Sequence, residues 1–215
     1  MNAESYRTKF ADSQLAAKYS DLYNPNTPDD ILWHVEKVFL DQVVEELRQT
    51  HESIDYLDFA CGTGRVIGYL ENFVDTAAGI EISDKMISVA QQKGVKGNLI
   101  CRDITDANTP IESKYDLITA FRFVLNAEPR LRHAGLSALV GRLKDQNSRL
   151  VFSNHGNPFS HKMLALPIHA IIRPFSKRYD RTGNYLTYAQ VSRLVSDVGL
   201  EIVKVFGLGF ISPKI

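Results

Sequence analysis

The stretch Leu57-Asp58-Phe59-Ala60-Cys61-Gly62-Thr63-Gly64-Arg65 constrains this chain more than any other. It joins an apolar run over 54–60 to a helical stripe made by Val66, Ile67, Leu70 and Phe73. A strand that enters two closely spaced glycines and then a helix forms a sharp turn. There the backbone can approach a ligand without side-chain interference, and the first N–H groups of the helix point toward it.

The rest of the chain repeats the strand-to-helix rhythm. Thr27 as N-cap, Pro28 in the first helical position and the acids Asp29 and Asp30 predict a helix over 28–49. Ile31, Leu32, Val35, Val38, Phe39, Val43 and Leu47 form its apolar stripe. Further strands are predicted over 77–82, 99–101, 115–120, 149–152 and 200–206. Ser83 caps a helix that stops at Gly94, and another helix is predicted over 130–143. Thr187 with Gln190 forms a capping box for a helix carrying Val191, Leu194, Val195 and Val198, ended by Gly199. Such alternation predicts an α/β fold, a doubly wound and mostly parallel sheet with helices on both faces. Residues 154–184 interrupt it as a long insertion.

Composition narrows the classes. Apolar residues at 44% and charged residues at 23% fit a globular protein. No apolar run is long enough for a membrane-spanning helix, and the amino terminus does not read as a signal peptide, so the expected location is cytoplasmic. Cys61 and Cys101 lack a second Cys or a His at ligand spacing, which predicts reduced thiols and no metal. The net charge is zero, which argues against a dedicated nucleic-acid binder. Charge is nevertheless uneven: residues 1–50 hold five basic and nine acidic side chains, residues 130–182 ten and two.

Two ligands compete for the glycine loop. A dinucleotide requires G-x-G-x-x-G, but Ile67 stands where the third glycine belongs and Gly68 comes one place late. Asp58 would also set a carboxylate near the pyrophosphate, whereas it suits a ligand bearing an ammonium and a sulfonium group. Glu81, seventeen residues after Gly64 at the end of the second strand, can accept hydrogen bonds from a ribose diol. Asp103, after the third strand, is placed to meet an adenine amino group.

With these residues in view, the chain resembles the class I S-adenosylmethionine-dependent methyltransferases. Leu57 to Arg65 resembles their first motif, Gly79-Ile80-Glu81-Ile82-Ser83 with Met86 their second, Arg102-Asp103-Ile104 their third and Tyr115-Asp116-Leu117-Ile118-Thr119 their fourth. The match spans about residues 53–206, with Ala60 where the family often has glycine, a change expected to do little damage. The resemblance implies a Rossmann-like core with S-adenosyl-L-methionine as cofactor. It implies an N-terminal helical lid and first long helix over 1–50, and a core over 51–215 containing the substrate-side insertion. It also implies that Asp58, Ala60, Gly62, Thr63 and Gly64 hold the methionine end and Glu81 the ribose. Ile82 and Met86 would pack on the adenine, Asp103 and Ile104 would hold its edge, and Phe121 would border the sulfonium.

Methyl transfer is an in-line displacement, so alignment and exclusion of water are the protein's main tasks, and a base is required only for a poorly acidic acceptor. His155 and Tyr23 are the candidates for such a base, and Tyr19, Arg122 and Asn126 for acceptor contacts. The insertion sets apolar residues beside Arg173, Lys177, Arg178 and Arg181, suited to an anionic small molecule or to peripheral membrane contact. The expected acceptor is a small molecule: a saccharide, a metabolite or a quinone-like lipid. The tail over 206–215 ends before a convincing seventh strand, which predicts a truncated chain or an abbreviated sheet edge favouring a homodimer. The competing readings are a non-catalytic protein of the same fold that binds S-adenosylmethionine and, behind it, a nicotinamide-dependent oxidoreductase.

Overall fold

The computed structural model describes residues 27–105, 113–154 and 186–207. Contacts divide the chain into two compact units, Met1–Ser153 and Asn154–Ile215.

In the first unit the described residues begin with α1, Pro28–Arg48. Thr27 Oγ1 accepts the Asp30 N–H at 3.1 Å, and Asp29 and Asp30 place negative charge where the helix dipole favours it. Leu40, Val43, Val44 and Leu47 are buried and share one core with Ile54, Tyr56, Ile67, Leu70 and Leu117. Each such side chain contributes about 2 kcal/mol of burial free energy.

Five strands follow: β1 Asp55–Phe59, β2 Thr76–Glu81, β3 Asn98–Cys101, β4 Leu117–Ala120 and β5 Arg149–Phe152. All four pairings are parallel, in the order β3-β2-β1-β4-β5. The helices between them are α2 Ile67–Leu70, α3 Asp84–Gln92, α4 Phe123–Asn126 and α5 Pro129–Val140. Tyr56 faces the α1 core, while Phe59, on the opposite face of β1, meets Phe123 of α4 edge-on at 4.7 Å. Helices therefore cover both faces, as the strand–helix rhythm predicts. Because every strand is parallel, all carboxyl ends meet on one edge.

The opposite edge carries a charged cluster. Lys144 Nζ donates to Asp116 Oδ2 at 2.6 Å and to Asp55 Oδ2, and Asp116 Oδ2 also accepts the Asp55 N–H at 2.7 Å. His51 Nε2 stands 3.5 Å from Asp116 Oδ1.

The second unit holds α6, Tyr188–Asp197, with the predicted capping box: Thr187 Oγ1 accepts from the Gln190 N–H and the Gln190 side chain accepts from Thr187 N. The strand predicted over 200–206 is not formed. Val203 and Val205 are exposed, and the segment finds no sheet partner among the described residues. β-propensity is a fit to a half-buried pleated surface, and this segment has no such surface. Phe73 also departs from expectation. Helix α2 ends at Leu70, because Asn72 Nδ2 donates to the carbonyls of Gly68 and Tyr69 and closes the turn, leaving Phe73 half exposed against Tyr69.

Candidate functional site

The glycine loop leaves β1 through three left-handed residues: Ala60 at φ 53°, Gly62 at 55° and Gly64 at 79°. A Cβ on Gly64 would stand 2.7 Å from Val95 Cγ2 and 2.8 Å from Ala90 Cβ, so the loop seats on α3 only with glycine there. Ala60 takes the same conformation with a methyl group, at a cost of about 1–2 kcal/mol. That strain explains the glycine frequent in the resembling motif, and it makes the substitution less innocuous than the sequence suggests.

Asp58 is buried at the root of this loop. Its Oδ2 accepts the Ile67 N–H at 3.1 Å and its Oδ1 the Thr119 hydroxyl at 2.7 Å. Burial pushes its carboxyl up to about 7, and the Thr119 hydroxyl, the Ile67 amide and the Arg65 charge oppose that rise. Glu81, at the tip of β2, is also buried and raised by desolvation. Its Oε1 accepts the N–H groups of Ile82 and Ser83, at 2.8 and 3.0 Å, and its Oε2 accepts that of Gly62 at 3.0 Å. A carboxylate has about four acceptor positions. Three are used here, so Oε2 keeps one.

A cleft opens beside the loop at the carboxyl ends of β1, β2 and β3. Ala60, Glu81, Ile82, Asp103 and Ile104 line it, five residues that the sequence singles out. Asp103 Oδ1 is held by the N–H and hydroxyl of Thr105, at 2.9 and 2.6 Å. Phe59, Ile80, Phe123 and Leu131 give the cleft an apolar floor, and Arg102 and Thr105 stand at its wall. Sequence reasoning missed Phe123, Leu131, Arg102 and Thr105. The apolar spacing through 123–131 was the available signal for the floor, but that stretch reads as a turn until the short helix α4 is seen.

The other expected residues fall around the cleft. Met86 is buried, and a Cβ on Gly62 would lie 3.8 Å from its sulfur, so it supports the loop from below. The Thr63 hydroxyl accepts from Lys93 Nζ at 3.4 Å. Phe121 packs on the α1 core, 5.8 Å from the Arg65 guanidinium. Arg65 itself stacks on Trp33 at 4.2 Å and donates to the buried Glu36 carboxylate at 2.8 Å. Arg122, left-handed at φ 61°, pairs with Asp29, and Asn126 Nδ2 donates to the Arg122 carbonyl at 2.7 Å. Arg122 is thus paired with an acid of the chain itself. Tyr19, Tyr23, His155 and the basic insertion fall outside the described residues, as does the tail beyond Gly207. Among the described residues no group of His, Cys, Asp and Glu is arranged to hold a metal, and no helix is long and apolar enough to cross a membrane.

Residues 57–146, which contain the glycine loop, Glu81 and Asp103, match a methyltransferase domain family. That segment of the chain is a methyltransferase domain. Solved structures agree with its fold. The magnesium protoporphyrin IX methyltransferase of Synechocystis PCC 6803, solved with S-adenosylhomocysteine, is 20% identical with a TM-score of 0.66, over 92% of this chain and 89% of that one. An O-methyltransferase family protein of Burkholderia thailandensis is 13% identical with a TM-score of 0.63, over 93% and 59%. A S-adenosylmethionine-dependent methyltransferase of Clostridium acetobutylicum ATCC 824 is 25% identical with a TM-score of 0.50, over 64% and 56%. A sequence comparison with curated proteins finds no match.

This methyltransferase domain fits its family's cofactor on its own geometry. The cleft combines an apolar floor with carboxyl groups at two strand tips, and a further carboxyl group, that of Asp58, lies buried at the root of the adjoining loop.

Proposed function

We propose that this methyltransferase moves the methyl group of S-adenosylmethionine by in-line displacement to a small-molecule acceptor: a saccharide, a metabolite or a quinone-like lipid. One observation carries the reading. The cleft at the ends of β1, β2 and β3 sets Glu81 and Asp103 over an apolar floor, immediately beside a loop rooted on a buried carboxylate.

In this reading Ile82 and Ile104 sandwich the adenine, and Asp103, braced by Thr105, accepts from its amino group. Glu81 takes one ribose hydroxyl on Oε2, since its other acceptor positions hold the loop together. Asp58 supplies the counter-charge to the ammonium group, and the backbone of Gly62, Thr63 and Gly64 surrounds the methionine end. Phe121 borders the sulfur. When bound, S-adenosylmethionine supplies a sulfonium-activated methyl group. What the residues contribute is alignment and exclusion of water, and proximity of this kind is worth roughly 7–11 kcal/mol of barrier. Arg122 and Asn126, which follow β4, are the candidates for acceptor contacts. The magnesium protoporphyrin IX methyltransferase shows that the fold accommodates a small-molecule acceptor in one of its members.

The test has two arms. Calorimetric titration with S-adenosylhomocysteine should give saturable binding that Asp103→Ala weakens by about tenfold. Transfer of a labelled methyl group to a panel of saccharides, metabolites and quinones should identify the acceptor. An absence of binding would overturn the reading, and binding with no transfer to any acceptor would favour the non-catalytic alternative.

A further inference from the structure

Three buried side chains form a ladder across β1 and β4 that the proposed function leaves unexplained in part. Tyr56 and Asp58 lie two apart on one face of β1, and Thr119 of β4 is paired in register with Asp58. Tyr56 and Thr119 are fully buried. The Tyr56 hydroxyl lies 2.6 Å from Thr119 Oγ1, which in turn lies 2.7 Å from Asp58 Oδ1. We propose that Tyr56 and Thr119 are positioning residues for the methyl donor: their hydroxyls form a one-directional chain that holds Asp58 as a hydrogen-bond acceptor, and thus as the anion that the donor's ammonium group requires. This rests on the role given to Asp58 above.

The direction of the chain follows by counting protons. The Thr119 hydroxyl has one, and it is donated to Asp58, so the contact with Tyr56 must have the phenol as donor. The second carboxylate oxygen receives the Ile67 amide proton, which cannot be reversed. Both donors favour the anion, because a hydrogen bond to a charged carboxylate is stronger than one to a neutral carboxyl group. The Tyr56 phenol, by donating to Thr119, keeps the threonine proton turned toward Asp58, and the ladder therefore opposes protonation.

The opposition matters because burial works the other way and lifts the Asp58 carboxyl to about 7. The ionisable groups that act on it are few. Arg65, from the glycine loop, favours the anion while paired with Glu36, and Glu81, from the tip of β2, disfavours it. The Cys61 thiol and the Tyr56 phenol are both pushed up by burial and stay protonated. Among the effects that hold the carboxyl down, the Thr119 hydrogen bond is the largest, and Tyr56 acts through it.

The test uses the full chain as wild type, Thr119→Val, Tyr56→Phe and Thr119→Ser. S-adenosylhomocysteine is titrated from about pH 6 to about pH 9, and each Kd is read as a ratio to wild type at the same pH, so that titration of the ligand's own amine cancels. Thr119→Val should weaken binding about tenfold near neutral pH, with the loss shrinking to about twofold at the alkaline end. Tyr56→Phe should follow the same trend at about threefold, and Thr119→Ser should restore the wild-type profile. A loss of equal size at every pH, or no loss, would overturn the proposal. A second measurement needs no ligand: in a carboxyl-carbon NMR titration of the unliganded chain, the Asp58 midpoint should rise by about one pH unit in Thr119→Val. An unmoved midpoint overturns the proposal. A raised midpoint in a chain whose wild type binds no S-adenosylhomocysteine upholds the hydroxyl chain and refutes the methyl-donor reading instead.

Discussion

The two edges of the sheet treat their carboxylates in opposite ways. At the amino-terminal edge, Asp55 and Asp116 share the Lys144 ammonium, and the hydrogen bond from Lys144 is the largest of the effects holding the Asp55 carboxyl below its ordinary value. At the carboxyl-terminal edge, Asp58 and Glu81 have only neutral hydrogen-bond donors among the described residues, and burial drives both upward. The nearby cation, Arg65, is engaged with Glu36. Charge is neutralised by a paired lysine where the strands are fastened, and met only by neutral donors among the described residues where the cleft opens. The acids look alike in sequence, and their partners separate them.

Paired substitutions would break that contrast most directly. Asp116→Asn removes the buried negative charge that faces Lys144, and should cost about 3 kcal/mol in urea unfolding with little change in S-adenosylhomocysteine affinity. Gly64→Ala should cost a similar amount, about 3 kcal/mol, because it adds a Cβ at positive φ against Ala90 and Val95, and it should weaken binding as well. Asp58→Asn should reverse the Asp116 pattern, weakening S-adenosylhomocysteine by about tenfold to a hundredfold in calorimetry, the worth of a charge-assisted hydrogen bond.

Acid and base behaviour sharpens the comparison further. The Asp58 carboxyl stands at about 7 in the folded chain against 3.8 ordinarily, so the unfolded chain holds fewer protons between those values. Stability should therefore fall as pH rises across that window. Asp55 has the opposite sign: its contribution is present above 3.8 and is lost as pH drops through its lowered folded value. Urea unfolding across the acid range should show both slopes, and the decline toward neutral pH should disappear in Asp58→Asn. The smallest effect is expected at Ala60. Ala60→Gly relieves left-handed strain but loosens the unfolded chain, for a net gain of about 0.5 kcal/mol by thermal unfolding.

Much of this was legible in the residues. The strands read within a residue or two because parallel strands buried on both faces are near-continuous apolar runs. Glu81 and Asp103 were locatable because a parallel sheet brings every strand's carboxyl end to one edge, so an acid just past a strand is already placed. What escaped were relations between distant positions. The Tyr56–Thr119 contact joins residues 63 apart, and no local pattern announces it. Of the floor residues, Phe123 belongs to α4, which begins straight after β4 where Arg122 at positive φ redirects the chain, and Leu131 belongs to α5. The segment over 200–206 has the composition of a strand but no neighbour to pair with among the described residues, so the likeness was misleading.

The Arg65 contact has a mechanical consequence. Its guanidinium, carried by the glycine loop, stacks on Trp33 and pairs with Glu36, both on α1, so loop and helix are riveted together. Pulling α1 away would strand the buried Glu36 carboxylate without this counter-ion. Anything that shifts α1 must therefore carry the glycine turn along with it, like a handle on a latch.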